Sequence, residues 1–339
     1  MKQKHQVTIK DLAKQLGVAV STVSRALNDH PNISEETKEQ VLKLAKELNY
    51  KPNKIALGLK NQSTKTIGVI IPEIVHHFFS SVIAGIEEIA YEHGYTVMFC
   101  QSNELVEKEA KDILALLSHR VDGLLISQSK STIDFTHFDD VLSKNIPIVF
   151  FDRAPAEVQV TKIVVNDLIA SYEAVIHLIK QNCTKIVHLA SELTLGISRE
   201  RKEGYLEAMN EYGLTNPKVI ECKYGSKEDG YLQIEKLIKD EILFDGIFAS
   251  NDLLAIGAMQ ALKDHNIKIP QDVAVIGFSN WDFCSLIQPS LTSVNQPGQE
   301  MGRIAMQALI EQISNKNYIP QNEIIILKTE LVVRESTQR

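Results

Sequence analysis

Residues 8–60 read TIKDLAKQLGVAVSTVSRALNDHPNISEETKEQVLKLAKELNYKPNKIALGLK, and the first two-thirds of this stretch has apolar residues at helical spacing. The first segment places four of them at positions i, i+3, i+4 and i+7, namely Ile9, Leu12, Ala13 and Leu16. Thr8 stands at its N-cap position, and Asp11 three residues later gives a near capping box. Gly17 supplies the permissive backbone that ends a helix.

Two further segments complete the pattern. The second has a narrow apolar face, formed by Val23, Ala26 and Leu27. Its other face carries short polar groups and one Arg, at Ser21, Thr22, Ser24, Arg25 and Asn28. The third begins at a Ser34 cap and has its apolar residues at Val41, Leu44, Ala45 and Leu48. Helices joined by a short Gly turn predict a helix-turn-helix, whose second helix suits the major groove, although amphipathic helices alone are more typical of a small bundle or dimerisation module.

The distribution of charge favours the DNA-binding alternative. Residues 1–60 hold eleven basic and six acidic side chains, whereas the whole chain has a net charge of −7. The basic charge is therefore concentrated at the end that carries the predicted helix-turn-helix.

The amino-acid sequences of four segments also resemble the N-terminal DNA-binding head of the LacI/GalR family of bacterial transcription regulators. These segments are TIKDLAKQLGV, STVSRALN, ISEETKEQV and NYKPNKIALGL. The resemblance implies that Val20, Ser21 and Arg25 face base edges, and Thr22 beside them is also expected to contact DNA. It implies phosphate contacts for Thr8, Ser24, Asn28 and Tyr50. Phosphate contacts set the register on DNA, while base contacts set the sequence preference.

The resemblance further implies a hinge helix over residues 53–60, which includes Asn53 and Ala56 and folds on the operator. The hinge helix and the linker after it together span residues 53–66. Leu59 occupies the position that inserts into the minor groove, where such wedges kink the duplex. Two residues depart from the family pattern. Ala19 replaces the usual Ser cap of the recognition helix, which costs about 1 kcal/mol, and Gly58 disfavours the hinge helix by a similar amount, roughly 1 kcal/mol.

Length and composition are those of a globular protein with more than one domain. The chain has 339 residues, of which 44% are hydrophobic and 23% charged. Its four cysteines are far apart and lack metal-ligand or disulfide spacing, and no cofactor motif is present. Because we find neither a signal-peptide h-region nor a long apolar run, we expect a cytoplasmic protein.

From residue 67 onward, short β-branched runs alternate with longer amphipathic segments, which predicts parallel sheets covered by helices. We therefore expect an all-α helix-turn-helix head (1–52) and an α/β body (67–339) of two doubly wound parallel-sheet lobes. The resemblance extends over this body, which is periplasmic-binding-protein-like. It implies that lobe 1 spans about 67–160 and 293–320, and that lobe 2 spans about 161–292 and 321–339. The segment IIILKTELVV is expected to form the last strand.

The resemblance also implies an effector site between the lobes, where open α/β sheets bind ligands. Its predicted residues are Phe78, Phe79, Asp152, Arg201, Asn251, Ser279 and Trp281. Simpler interpretations exist: Asp152 could pair with Arg153, Asn251 and Asp252 could be ordinary helix caps, and Trp281 could be a packing residue. Arg199 is more typical of a surface charge, and adjacent His76 and His77 suit a polar loop better than a metal site.

Ser279 stands where the family usually has Asp, a residue that can accept two sugar hydroxyls. Losing that charge beside Arg201 and Arg199 favours an acidic or phosphorylated ligand over a neutral sugar. The leading hypothesis is a ligand-controlled transcription regulator, a repressor that binds a near-palindromic operator as a homodimer. The alternatives are an enzyme, against which the missing catalytic and nucleotide motifs argue, and a transport or sugar-binding protein with no DNA-dependent function.

Overall fold

The computed structural model describes residues 7–50, 63–74, 77–315 and 317–339. The chain divides into two units, Met1–Thr64 and Lys65–Arg339. The hinge residues Asn53, Ala56, Gly58 and Leu59 lie outside the described residues, as does His76.

The described part of the first unit contains three helices, α1 (Ile9–Leu16), α2 (Val20–Leu27) and α3 (Glu35–Glu47). The predicted capping box is present, because the Thr8 amide donates to the Asp11 carboxylate at 2.8 Å and the Thr8 hydroxyl donates to it at 2.7 Å. Gly17 ends α1 with a φ of 66°, a left-handed conformation that Gly adopts without strain. Ala19 begins α2 without a side-chain cap.

These helices share one small core, centred on the fully buried Leu12, Val23 and Val41. The turn between α2 and α3 is held by Lys38, whose ammonium lies 2.6 Å from a carboxylate oxygen of Asp29 and 2.7 Å from one of Glu35. Lys38 of α3 thus links the chain just after α2 to the first turn of α3.

The second unit has two lobes, each built on a six-stranded sheet. The first sheet has the strand order β11-β5-β4-β3-β1-β2. Its strands are β1 (Thr66–Ile71), β2 (Thr96–Gln101), β3 (Gly123–Ile126), β4 (Ile148–Phe151), β5 (Thr161–Val165) and β11 (Ile324–Leu327). Its helices are α4 (His77–Glu92), α5 (Val106–Ser118), α6 (Thr136–Leu142) and α11 (Gly298–Ser314).

The second sheet has the order β12-β10-β9-β8-β6-β7. Its strands are β6 (Ile186–Ser191), β7 (Lys218–Cys222), β8 (Gly246–Ala249), β9 (Ala274–Ser279), β10 (Thr292–Asn295) and β12 (Glu330–Val332). Its helices are α7 (Asp167–Lys180), α8 (Gly196–Glu211), α9 (Lys227–Lys239) and α10 (Asp252–Asp264). All strand pairs are parallel except β10–β12, which is antiparallel and forms one edge.

Helices cover both faces of each sheet, which explains why central strands such as β3, β4 and β8 are buried along their whole length. In lobe 1, α4 and α11 pack on one face, and α5 and α6 on the other. In lobe 2, α7 and α8 oppose α9 and α10. Within the described part of the chain, no helix is both long and apolar enough to cross a membrane.

The chain changes lobe slightly later than predicted at each crossover. β5 pairs with β4 in the first sheet, so the chain leaves lobe 1 after Val165 and not near Val160. β10 pairs with β9, which moves the return from Ser293 to Gln296. The segment IIILKTELVV is also not one strand: its first part pairs with β5 and its second part with β10. Membership of a sheet depends on which strand is the partner, and apolar runs on the two sides of a crossover look alike in the sequence.

Candidate DNA-binding surface and ligand-binding cleft

Helix α2 exposes the residues expected to meet base edges. Ser21 and Arg25 are exposed and Val20 is 41% exposed. Thr22 beside them is half-buried, as is Ser24, for which a phosphate contact is expected. Val23 and Ala26 on the opposite side are buried against the other helices, so α2 presents one fixed polar face. A helix held in this way can enter a groove without repacking its own core.

Some polar atoms of the predicted phosphate-contacting residues are already engaged in hydrogen bonds. The Asn28 amide nitrogen donates to the Ser24 carbonyl oxygen at 2.7 Å, and the Thr8 hydroxyl donates within the capping box. Tyr50 follows α3 and is half-buried, and this burial raises its pKa. The Asn28 amide nitrogen has a second hydrogen, which can still be donated to a phosphate oxygen. The DNA-contacting roles stay predictions.

The carboxyl ends of strands from both sheets meet at a cleft between the two lobes. The cavity has a volume of about 140 Å³. All seven predicted effector residues line it, namely Phe78, Phe79, Asp152, Arg201, Asn251, Ser279 and Trp281. The structure therefore brings together residues that are up to 203 positions apart in the sequence, while their contacts with a ligand stay a prediction.

Asp152 comes directly after β4 and is buried, with a φ of 58° that turns the chain at the sheet edge. Burial raises its pKa to about 6, although Arg153 acts in the opposite direction. The simple alternative of an Asp152–Arg153 pair is only partly met: the Arg153 Nε lies 3.8 Å from Asp152, whereas its Nη1 contacts both Glu104 oxygens at 2.8 and 2.9 Å. The Asp152 carboxylate thus keeps acceptor capacity for hydroxyl groups.

We expect Asp152→Asn to stabilise the ligand-free protein at neutral pH. The raised pKa means that the charged carboxylate destabilises the folded state fully above about pH 6 and not at all below about pH 3.8. The variant should gain about 1 to 3 kcal/mol in the free energy of unfolding at pH 7.5, and roughly half of this gain should disappear at pH 5. Urea unfolding of the variant and the wild type at the two pH values measures this gain. A gain in the free energy of unfolding that does not depend on pH would contradict the raised pKa.

Arg201 lies on α8 and is buried, with its charge already partnered. Its Nε donates to Asp167 at 2.6 Å, its Nη1 donates to the Ser250 carbonyl oxygen at 2.6 Å, and its guanidinium lies 3.7 Å from the centre of the Phe278 ring. Arg199 instead donates to the carbonyl oxygens of Leu193 and Thr194, as its surface interpretation predicts. The charge argument for an acidic ligand therefore fails at both arginines, because Arg201 is paired with Asp167 and Arg199 is not among the described residues that line the cleft.

Ser279 ends β9 and is connected to Asp152 through Gln296, which is not among the predicted site residues. The Ser279 hydroxyl donates to the Gln296 Oε1 at 2.8 Å, and the Gln296 Nε2 lies 3.4 Å from the Asp152 Oδ1. Gln296 is buried at the crossover between β10 and α11. An Asp at position 279 would instead accept a hydrogen bond from this amide, so Ser279 determines which end of Gln296 faces Asp152.

Asn251 is a helix cap and also lines the cleft. Its Oδ1 accepts from the Leu254 amide at 2.9 Å, and its Nδ2 donates to the Gly225 carbonyl oxygen at 3.0 Å. Asp252 is a buried structural residue that accepts from the Trp281 amide and the Ser293 hydroxyl. Trp281 both packs against the core of lobe 2 and lines the cleft.

Comparison with known proteins finds a family match within each of the two units. Residues 8–53 match the family model described as bacterial regulatory proteins, lacI family, and residues 175–337 match the periplasmic binding protein-like domain. The HTH-type transcriptional repressor PurR of Vibrio vulnificus is 33% identical over 334 residues, which cover 98% of this chain and 99% of PurR. The ribose operon repressor of Halalkalibacterium halodurans is 34% identical over 331 residues, covering 98% of this chain and 97% of the repressor.

The fold agrees with these sequence relatives. The crystal structure of the Lac repressor dimer bound to operator and the anti-inducer ONPF matches with a TM-score of 0.87 and 25% identity, covering 98% of this chain and 99% of that chain. The fold of the Lac repressor is thus shared over nearly the whole chain, and the sequence relatives are described as transcriptional repressors and not as enzymes. The chain belongs to the LacI family of bacterial regulatory proteins and is a ligand-controlled, DNA-binding transcriptional regulator.

Proposed function

We propose that this protein represses carbohydrate-related genes in the cytoplasm by binding a near-palindromic operator as a homodimer, and that a sugar in the cleft controls its affinity for the operator. The proposal rests on the residues at the inner, buried end of the cleft. There Asp152, Arg201 and Asn251 offer acceptors and donors next to aromatic rings, the combination that suits a polyhydroxylated ring. The ribose operon repressor among the relatives supports the choice of a sugar.

The homodimer is supported by the size of the DNA-binding unit. A single three-helix unit buries too little surface and makes too few phosphate contacts for specific binding, so two copies on a two-fold symmetric site are needed. The related Lac repressor is described as a dimer bound to operator. We propose that the hinge residues Asn53, Ala56 and Leu59 enter the minor groove between the two heads.

The proposed control is a two-state equilibrium of the lobes. A ligand that contacts both lobes prefers one angle between them, and this preference shifts the operator affinity in proportion. Gln296 supports such coupling because it lies on a crossover and contacts Ser279 of lobe 2 and Asp152 of lobe 1. The expected coupling is roughly 1 to 3 kcal/mol.

We expect Arg25→Ala to weaken operator binding about 10- to 100-fold, because an arginine that reads a base edge contributes roughly 1 to 3 kcal/mol. The loss should be largest on the preferred operator and small on non-specific DNA, which a gel-shift titration on both fragments measures. Lys239→Ala is the matched control, since Lys239 is an exposed cation of the body on α9. Equal losses on both fragments would show that Arg25 contacts only phosphates.

The proposal as a whole is tested by gel shift with DNA from upstream of the gene, with and without candidate sugars. Retardation that a sugar changes supports the regulator. Sugar binding without any retardation would instead favour the alternative of a sugar-binding protein that has no DNA-dependent function.

A further inference from the structure

The outer end of the cleft, which we call the lysine rim, consists of Lys130, Lys223 and Tyr224. Tyr224 follows β7 in lobe 2 and is 69% exposed. The Lys223 ammonium lies 5.5 Å from the centre of its ring, and the Lys130 ammonium, which comes from lobe 1, lies 6.0 Å from it. All three residues line the cavity. One aromatic ring therefore has two cations near it, one from each lobe.

Lys130 and Lys223 differ from the other cations of the cleft in how closely carboxylates approach them. Arg153 contacts both oxygens of Glu104, and Arg201 contacts Asp167 at 2.6 Å. The Lys130 ammonium, by contrast, lies 4.0 Å from its nearest carboxylate oxygen, on Glu192. Within the described ranges, the Lys223 ammonium has no carboxylate within 4.0 Å. Positive charge that is only weakly balanced is therefore found at the rim and not at the inner end.

The backbone that carries Lys130 is fixed by buried acceptors. The Lys130 amide donates to Glu104 at 2.9 Å, and the preceding Ser129 amide donates to the fully buried Glu109 at 2.7 Å. The Thr194 hydroxyl of lobe 2 donates to the Lys130 carbonyl oxygen at 3.3 Å, across the cleft. The ammonium thus extends from a preorganised loop, which limits the conformational entropy lost on binding a ligand.

We propose that the lysine rim binds an anionic group, a phosphate or a carboxylate, carried by a sugar whose hydroxyls lie at Asp152 and Arg201. This inference rests on the proposed function, because it assumes that the cleft takes a sugar. Lysine is a common phosphate-binding residue that acts as a point charge, and hydrogen bonds to charged groups are about twice as strong as neutral ones. The preference for an anion thus comes from Lys130 and Lys223, and not from the absence of Asp at position 279.

Matched pairs of sugars test the proposal on the full-length protein. The probes are ribose with ribose 5-phosphate, glucose with glucose 6-phosphate, and glucose with glucuronate, measured by calorimetry and by the fluorescence of Trp281, the single tryptophan of the chain. We expect the anionic member of at least one pair to bind about tenfold tighter or more. The phosphate and carboxylate arms distinguish the two sources of the anion.

The variants separate the rim from the rest of the cleft. Lys130→Met and Lys223→Met should each weaken binding of the anionic sugar about tenfold and leave the neutral one unchanged, while Lys130→Arg keeps the preference and the exposed Lys239→Met has no effect. Neutral sugars that bind as tightly as their anionic partners, or a preference that survives in the Lys130→Met/Lys223→Met double variant, would overturn the rim assignment alone. Failure of every sugar to bind would overturn the proposed sugar ligand as well.

Discussion

Arg201→Met is expected to lower the free energy of unfolding of the α/β body by about 3 to 5 kcal/mol, because removing one member of a buried ion pair leaves the other charge without compensation. The partner left behind is Asp167, which is buried, is the first residue of α7, and accepts from the Arg201 Nε at 2.6 Å. The Ser250 carbonyl oxygen would lose its donor in the same substitution. The variant should also lose its response to sugar, since Arg201 lines the cleft.

Further variants separate the effect of losing the ion pair from the effect of changing the side-chain volume. Burial raises the pKa of Asp167, and Arg201 acts in the opposite direction. Without Arg201 the Asp167 carboxyl should bind a proton more readily. The variant should therefore lose more stability at pH 8, where this carboxyl is charged, than at pH 5. The Arg201→Met/Asp167→Asn double variant should recover much of the loss in urea unfolding. Arg199→Met, two residues earlier on the same helix, is the control and should stay near wild type.

A single-variant loss below about 1 kcal/mol would show that the pair is worth no more than a surface ion pair. A double variant as unstable as the single one would place the cost in lost packing against Phe278, over which the guanidinium lies. Either result would assign Arg201 a different structural role from the one argued from its hydrogen bonds.

The helices of the head could be predicted closely from residue spacing alone. Thr8, Asp11 and Gly17 give the start and end of α1 because capping and left-handed backbone are local properties of a few residues. The repeated alternation in the body predicts two lobes for a similar reason. The crossovers lie at Val165 and Gln296, later than the sequence predicts, because the partner of each strand is decided by contacts between segments far apart in the chain.

The composition of the ligand cleft also depends on contacts between segments that are far apart in the chain. Its residues could be proposed only through the resemblance, since nothing local in IVFFDR or GFSNWD shows that these segments meet. The partners of the charges were not predictable at all: Arg201 pairs with Asp167, 34 positions away, and this pairing removes the argument that Arg201 attracts an anion. Gln296 carried one available signal, its place beside Pro297 at the predicted return to lobe 1, but its contacts with Ser279 and Asp152 needed the fold.

The head has one small core, and its stability should decide whether the protein binds DNA. Leu12 is fully buried between α1, α2 and α3. Replacing a buried leucine with alanine costs about 2 to 5 kcal/mol, and a single core in a unit this small supplies only about 3 to 5 kcal/mol in total. Leu12→Ala should therefore leave a large part of the heads unfolded.

The expected result for Leu12→Ala is a loss of operator binding of about tenfold or more, with sugar binding to the body unchanged, because the core around Leu12 consists only of residues from the first unit. Leu42→Ala is the matched control: it removes the same atoms from a leucine of α3 that is 53% exposed and should shift the gel-shift midpoint little. If both variants bound operator like wild type, DNA would itself supply the folding energy of the head. If both lost sugar binding as well, the two units would not be energetically separate, which would contradict a head that folds on its own core.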